Sequence, residues 1–275
     1  MGGSFALALK RAGLVRQVVG FSPSESTRLR ALDMGVVDHL ALSAEEAAQG
    51  SDLVLVAVPV AATQSTFTTL ARSLSAQTLL MDVGSTKRDV VQAAQTALGD
   101  KLATFVPAHP IAGKEVAGIA HADVDLYVGC QVILTPTEQT GRAQLAQAQA
   151  LWAALGAQVR SMSAMEHDSA FAAVSHLPHM LAFAAMNAVN AQDQAAQFLS
   201  LAGPGFRDFT RIAASDPAVW RDILHANRDQ LLVQSQHLRE ALQEFETALA
   251  QGDSAALQAL ITFASQSRAA WSLKR

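Results

Sequence analysis

His109 sits between prolines, and the stretch Val106-Pro-Ala-His-Pro-Ile-Ala-Gly113 puts it where a short apolar run gives way to loop. A neutral imidazole there suits general-base work near neutral pH. Pro110 holds His109 extended, while Gly113 and Gly118 permit close backbone approach. A loop histidine of no consequence is the competing reading of the same residues. Gly84-Ser-Thr-Lys87 follows a second apolar run, Thr78-Leu-Leu-Met-Asp-Val83, so Ser85 also stands at the end of an expected strand. Further along, Gly203-Pro-Gly-Phe-Arg-Asp-Phe-Thr-Arg211 spaces Arg207 and Arg211 four apart, on one face of a helix. Two guanidiniums beside glycine turns can clamp a carboxylate, although pairing with Asp208 and Asp222 accounts for them by itself. His167, His176 and His179 fall in one apolar stretch. The last two are at metal-ligand spacing, but no glutamate or cysteine completes a set, so no metal is expected.

The elements around these residues alternate. A helix from Gly2 to Gly13 leads into a strand at Gln17 to Phe21, and a helix follows from Ser24 to Met34. Ser43-Ala-Glu-Glu46 reads as a capping box. Asp52 to Val58 and Thr78 to Val83 lack polar alternation, as strands buried on both faces require, and helices are expected after each. Strands at 103–106, 130–134 and 158–162 complete the set, with a helix from Thr140 to Leu155. This spacing predicts a parallel, doubly wound α/β sheet of the Rossmann type over 1–162. After Ser163 only helical segments are legible, broken at Pro178, Gly203-Pro-Gly205 and Pro217, so 163–275 is expected to be an all-α domain. Its first helix, Ala164 to Asn190, is apolar on nearly every face and calls for cover from a second subunit.

Composition narrows the classes. The 275 residues are 50% apolar and 16% charged with a formal net charge of -4, which fits a soluble globular protein and offers no basic face for nucleic acid. The purest apolar run, 53–62, is too short for a bilayer span, so no membrane role is expected. Cys130 is the only cysteine, excluding an internal disulfide and fitting a reducing, cytoplasmic setting. The start carries no secretory signal pattern.

Three motifs carry a resemblance. His109-Pro-Ile-Ala-Gly113, Ser175-His-Leu-Pro-His179 and Gly205-Phe-Arg-Asp-Phe-Thr-Arg211 resemble, in order and spacing, those of the prephenate/arogenate dehydrogenase family. The resemblance runs from Gly2 into the C-terminal helices. It implies a nicotinamide-dependent oxidative decarboxylation in tyrosine biosynthesis and a dimer formed through the helical domain. On the matching positions it implies that His109 takes the proton of a ring hydroxyl and that Ser85 hydrogen-bonds that hydroxyl and the imidazole. Arg211 would bind a substrate carboxylate, with His179, Glu115, Trp220 and Arg207 lining the same pocket. Gly2, Gly3, Ser4, Val58 and Pro59 would lie against the cofactor.

Two departures follow from the same comparison. The opening strand and leading glycines of the dinucleotide motif are absent, with Gly2 standing only for its last glycine, so an upstream start is expected. Ser22-Pro-Ser24 occupies the place of the acidic residue that would bind the ribose of NAD, and Ser22, Ser24 and Arg28 favour a 2′-phosphate, hence NADP over NAD. Another Rossmann-plus-helical hydroxyacid dehydrogenase is disfavoured, because no lysine occurs between Lys114 and Lys274 to serve as its catalytic residue. A non-catalytic dimeric binding protein would differ in failing to bind nicotinamide at all.

Overall fold

The computed structural model describes residues 1–113 and 118–271. The chain opens on helix α1, Gly2–Arg11, whose Phe5 and Leu9 are buried. Strand β1, Val19–Gly20, is followed by α2, Glu25–Asp33, and by β2, His39–Leu40, which pairs parallel with β1. Ser24 caps α2 by accepting from the Thr27 N–H. Helix α3, Ala44–Ala48, is capped by Ser43, but the Glu46 carboxylate accepts from Leu42 rather than closing the expected box on Ser43.

Next come β3, Leu53–Val56; α4, Thr63–Leu70; β4, Leu79–Asp82; and α5, Arg88–Ala97. The chain then forms β5, Phe105–Val106, and β6, Ala108–Pro110, two pieces of one extended run divided at Pro107. After β7, Gln131–Leu134, come α6, Arg142–Ala154, and β8, Gln158–Ser161. Strands β3, β4 and β5 pair parallel in that order. The sheet is parallel as expected except at one junction, where β7 runs antiparallel to β6 and parallel to β8. The cause is the connection: between β6 and β7 the described residues hold a 3-10 turn, Ile119–His121, and no crossover helix of the kind parallel pairing requires. The β1–β2 pair forms its own ladder, not hydrogen-bonded to β3.

Alternation along β4 explains the doubly wound layering. Leu79 and Met81 pack with Phe5, Leu9, Tyr127 and Trp152 on one face, while Leu80 packs with Phe67, Val90 and Phe105 on the other. Both faces are therefore covered, which is why the strand reads as continuously apolar.

From Ser163 the chain is helical. Ser163 and Glu166 form a full capping box at the start of α7, Ala164–Phe171. A π-helical turn, Ala172–His176, joins it to α8, Leu177–Asn190. Pro178 was expected to break the helix, but it lies in the first turn of α8, where its missing N–H costs little, and the wide turn before it takes up the irregularity. Short helices α9, Ala195–Ser200, and α10, Pro204–Thr210, precede α11, Pro217–Ala226, the long α12, Arg228–Gln251, and α13, Ser254–Ala270.

Packing differs sharply between the halves. Among the described residues, the buried apolar clusters draw on nothing beyond Val159. Beyond it, Val174, Leu201, Leu232, Leu249 and Phe263 are all more than 60% exposed. The run Ala164–Asn190 is long and apolar enough by composition to cross a bilayer, and only 17% of its 18-residue apolar window is buried. It nevertheless carries buried His167 and Asp168, which tie it to the sheet domain, and buried His176, which bonds Asn227 of the helical domain.

Candidate active site

An aspartate at the end of an apolar strand organises the site. Asp82, the last residue of β4, is 2% exposed, and its Oδ1 accepts the Ala108 N–H at 3.0 Å while Oδ2 accepts the Gly84 N–H at 2.8 Å. Lys87, fully buried at the start of α5, forms an ion pair with Asp82 and donates from Nζ to the Ala108 carbonyl at 2.8 Å. Burying a lysine is tolerable only when it is paired and hydrogen-bonded, as it is here. The consequence is mechanical: the loop after β4 and the residue before His109 are clamped to one carboxylate.

His109 lies in β6, half-buried, with its ring against Phe171 at 4.9 Å between centroids. Its Nδ1 is 2.8 Å from His167 Nε2, and His167 Nδ1 is 2.7 Å from Asp168 Oδ1. Asp168 also accepts the backbone N–H groups of Lys87 at 2.8 Å and Arg88 at 2.9 Å. Burial pushes the Asp168 carboxyl up, but the His167 bond and these two N–H donors outweigh it, so the carboxyl titrates below its usual range. Burial also drives His109 well below an ordinary histidine, helped by His167, Lys87 and His176. Both rings are thus neutral at physiological pH. With Asp168 an acceptor, His167 carries its proton on Nδ1, His109 carries its own on Nδ1, and His109 Nε2 is left bare. No hydrogen bond among the described residues engages that Nε2.

The helical domain supplies a second wall. His176, in the π turn, is buried and lowered to about 4 by that burial, and its Nδ1 accepts from the Asn227 amide at 3.1 Å. Asn227 also donates to the Asp168 carbonyl at 2.7 Å. His179 donates from Nδ1 to the Ser175 carbonyl at 3.0 Å and stacks on Trp220 with ring centroids 3.5 Å apart. Burial lowers His179 as well. Helix α11, which carries Trp220, packs against the turn at Val60–Ala62 that follows Val58 and Pro59.

The remaining expected positions are distributed as follows. Ser85 is half-buried in the loop clamped by Asp82, and no hydrogen bond joins it to His109, whose Nδ1 is held by His167 instead. Arg211 is exposed and begins the 3-10 turn that continues α10, the helix that carries Arg207. Arg207 pairs with its neighbour Asp208, the simpler of its two readings. Glu115 lies outside the described residues. A Cβ on Gly2 would stand 3.1 Å from the Ala57 side chain, so α1 begins hard against the end of β3. Gly3 is needed for close packing on Ile119. Ser4 departs from its expected cofactor role, because it is 2% exposed and its hydroxyl accepts the Asp123 N–H. Ser22, Ser24 and Arg28 do converge past β1: the Arg28 guanidinium donates to the Ser22 carbonyl and lies over the Phe21 ring. Sequence reading missed Asp82, Lys87, Asp168 and Asn227, and gave His167 no role beyond its place among three histidines. The visible signal was an aspartate closing a strand otherwise buried on both faces, which has to find a partner.

A doubly wound α/β domain with an imidazole at a strand end, walled by an all-helical domain, defines the class of two-domain dinucleotide-binding proteins. The chain belongs to the prephenate dehydrogenase family: residues 5–161 match its nucleotide-binding domain and 163–263 its dimerization domain. It is 36% identical over 234 residues to prephenate dehydrogenase of Bacillus subtilis, covering 84% of this chain and 63% of that protein. The cyclohexadienyl dehydrogenase of Zymomonas mobilis is 32% identical, over 85% of this chain and 80% of its own. Among solved structures, prephenate dehydrogenase from A. aeolicus in complex with hydroxyphenyl propionate and NAD+ superposes with a TM-score of 0.90 at 31% identity, covering 97% and 93% of the two chains. The chain thus spans just under two thirds of the length of the B. subtilis relative.

Proposed function

We propose that this protein is a cytoplasmic enzyme of tyrosine biosynthesis that oxidatively decarboxylates prephenate or arogenate with NAD(P), its domains meeting at Met162–Ser163. The observation that carries this is the bare Nε2 of a neutral, half-buried His109 at the carboxyl end of the sheet. In this reading Nε2 takes the proton of the ring hydroxyl as hydride leaves the same carbon. Ser85 hydrogen-bonds the hydroxyl. Arg211 holds a carboxylate of the substrate, with His179, Trp220, Arg207 and Glu115 around it. The nicotinamide, when bound, supplies the hydride acceptor. Loss of carbon dioxide makes the ring aromatic and needs little beyond orientation.

The residues present fit a dinucleotide. The α1 N-terminus, whose first N–H groups lie outside the helical ladder, abuts the end of β3 at Ala57, beside Val58 and Pro59. No acidic side chain follows β1 directly; Ser22, Ser24 and Arg28 surround that strand end and favour NADP. Assaying both substrates with both cofactors tests this. At least one substrate should yield reduced cofactor and carbon dioxide, with the higher kcat/KM for NADP. Arg28→Ala should lower kcat/KM with NADP about tenfold, the scale of one arginine–phosphate contact, and leave NAD nearly unchanged. Turnover of neither substrate refutes the activity; a preference for NAD untouched by Arg28→Ala refutes the cofactor assignment.

The uncovered apolar helices support a two-fold dimer through the residues after Ala164. A permanent interface of more than about 2,000 Å² is expected. Met186→Lys should give insoluble protein rather than a stable monomer, because the helical half has little core of its own. Sedimentation of the wild type as a well-behaved monomer at micromolar concentration would count against it.

A further inference from the structure

We propose that Asp168 and His167 are positioning residues for His109, a relay that fixes which nitrogen of the catalytic imidazole is basic and that spreads the charge it gains. This rests on the activity assigned to His109 above. The line runs Asp168 Oδ1, His167 Nδ1, His167 Nε2, His109 Nδ1, with spacings of 2.7 and 2.8 Å. Every link is directional. Asp168 is fixed as an acceptor by the N–H groups of Lys87 and Arg88 at the start of α5. His167 must therefore donate from Nδ1 and accept at Nε2, and His109 must donate from Nδ1. The proton of the substrate hydroxyl can then arrive only at His109 Nε2.

The same line answers an energetic problem. When His109 gains a proton it becomes a cation in a buried place, beside buried Lys87, and both burial and that like charge oppose it. Asp168 is the anion that faces this cluster through His167, since Asp82 is engaged by Lys87. The positive charge on His109 is stabilised by the Nδ1–H bond to His167, itself polarised by Asp168. Both relay residues are at most 1% exposed, so the line holds charge in place and does not deliver the proton to bulk water. The ring stack of His167 on Phe171, 4.4 Å between centroids, and the Asn227 bond to the Asp168 carbonyl hold the line in register.

Asp168→Asn tests the relay. The substitution removes the negative charge at the head of the line whichever way the amide turns, since either orientation sets its NH2 against the N–H of Lys87 or of Arg88. Three results are expected together: kcat falls about a hundredfold or more, imidazole nitrogen NMR of the unliganded proteins shows wild-type His109 as the Nδ1–H tautomer and the variant's His109 protonating at lower pH, and the acid limb of kcat/KM shifts the same way. The sign follows from charge, since losing an anion makes the imidazolium harder to form. A fall in kcat with the NMR titration and acid limb unchanged would mean a purely structural role and overturn the proposal, as would unchanged turnover. Should Asp168→Asn not fold, His167 decides alone. His167→Leu should lose the same hundredfold, whereas His167→Gln, which can donate to Asp168 and accept from His109, should recover to within about tenfold of wild type; equal losses in both overturn the relay. The NMR arm needs no turnover, so a protein that oxidises neither substrate but shows the Nδ1–H tautomer and the shifted His109 titration would fail the activity and keep the relay.

Discussion

His109→Asn lowers kcat by roughly a hundredfold or more while cofactor affinity stays within about twofold, because the substitution removes a proton acceptor without touching the cofactor crevice. Asparagine retains a donor toward His167 but presents no basic nitrogen where Nε2 stood. The clamp of Asp82 and Lys87 on Ala108 does not involve the His109 side chain, so the fold around the site should survive. The pH profile gives the sign. Burial holds His109 well below an ordinary histidine, so the wild type should keep its kcat/KM at pH values where an ordinary histidine protonates and lose it only further into acid. In His109→Asn that acid limb should vanish from the residual rate. Steady-state kinetics with a cofactor titration reads both; unchanged turnover removes His109 from the mechanism.

Arg211→Ala should chiefly raise KM, by roughly thirtyfold or about 2 kcal/mol, with kcat changed little. A guanidinium that holds a carboxylate in both ground and transition states contributes uniform binding, and such binding appears in KM. Arg211 is exposed in the free chain, and a closed site that excludes water is what gives its charge full weight. Added salt should therefore weaken substrate binding to the wild type more than to the variant. A collapse of kcat at unchanged KM would reassign Arg211 to catalysis or geometry.

Much of the architecture was legible because it is local. The strand of 79–82 reads as buried on both faces from its composition, and Leu79, Leu80 and Met81 are indeed fully buried. The change from alternating elements to helices after Ser163 is equally plain in the chain. The antiparallel β7 was not, since its direction depends on the path of a loop rather than on the strand's own residues. The helix end between Arg207 and Arg211 was not legible either: α10 stops at Thr210 and Arg211 opens a tighter turn.

What the sequence by itself determined is therefore the histidine at a strand end, the class of the two domains and the apolar helices in need of cover. Proline, glycine and apolar periodicity encode these over a few residues. Only the tertiary structure decided the environment of that imidazole. His109 meets His167 across 58 residues of chain, Asp168 meets Lys87 across 81, and Asn227 closes on Asp168 across 59. No periodicity records such partners. They are set by how α7 docks on the start of α5, where buried polar groups find satisfaction only in one another.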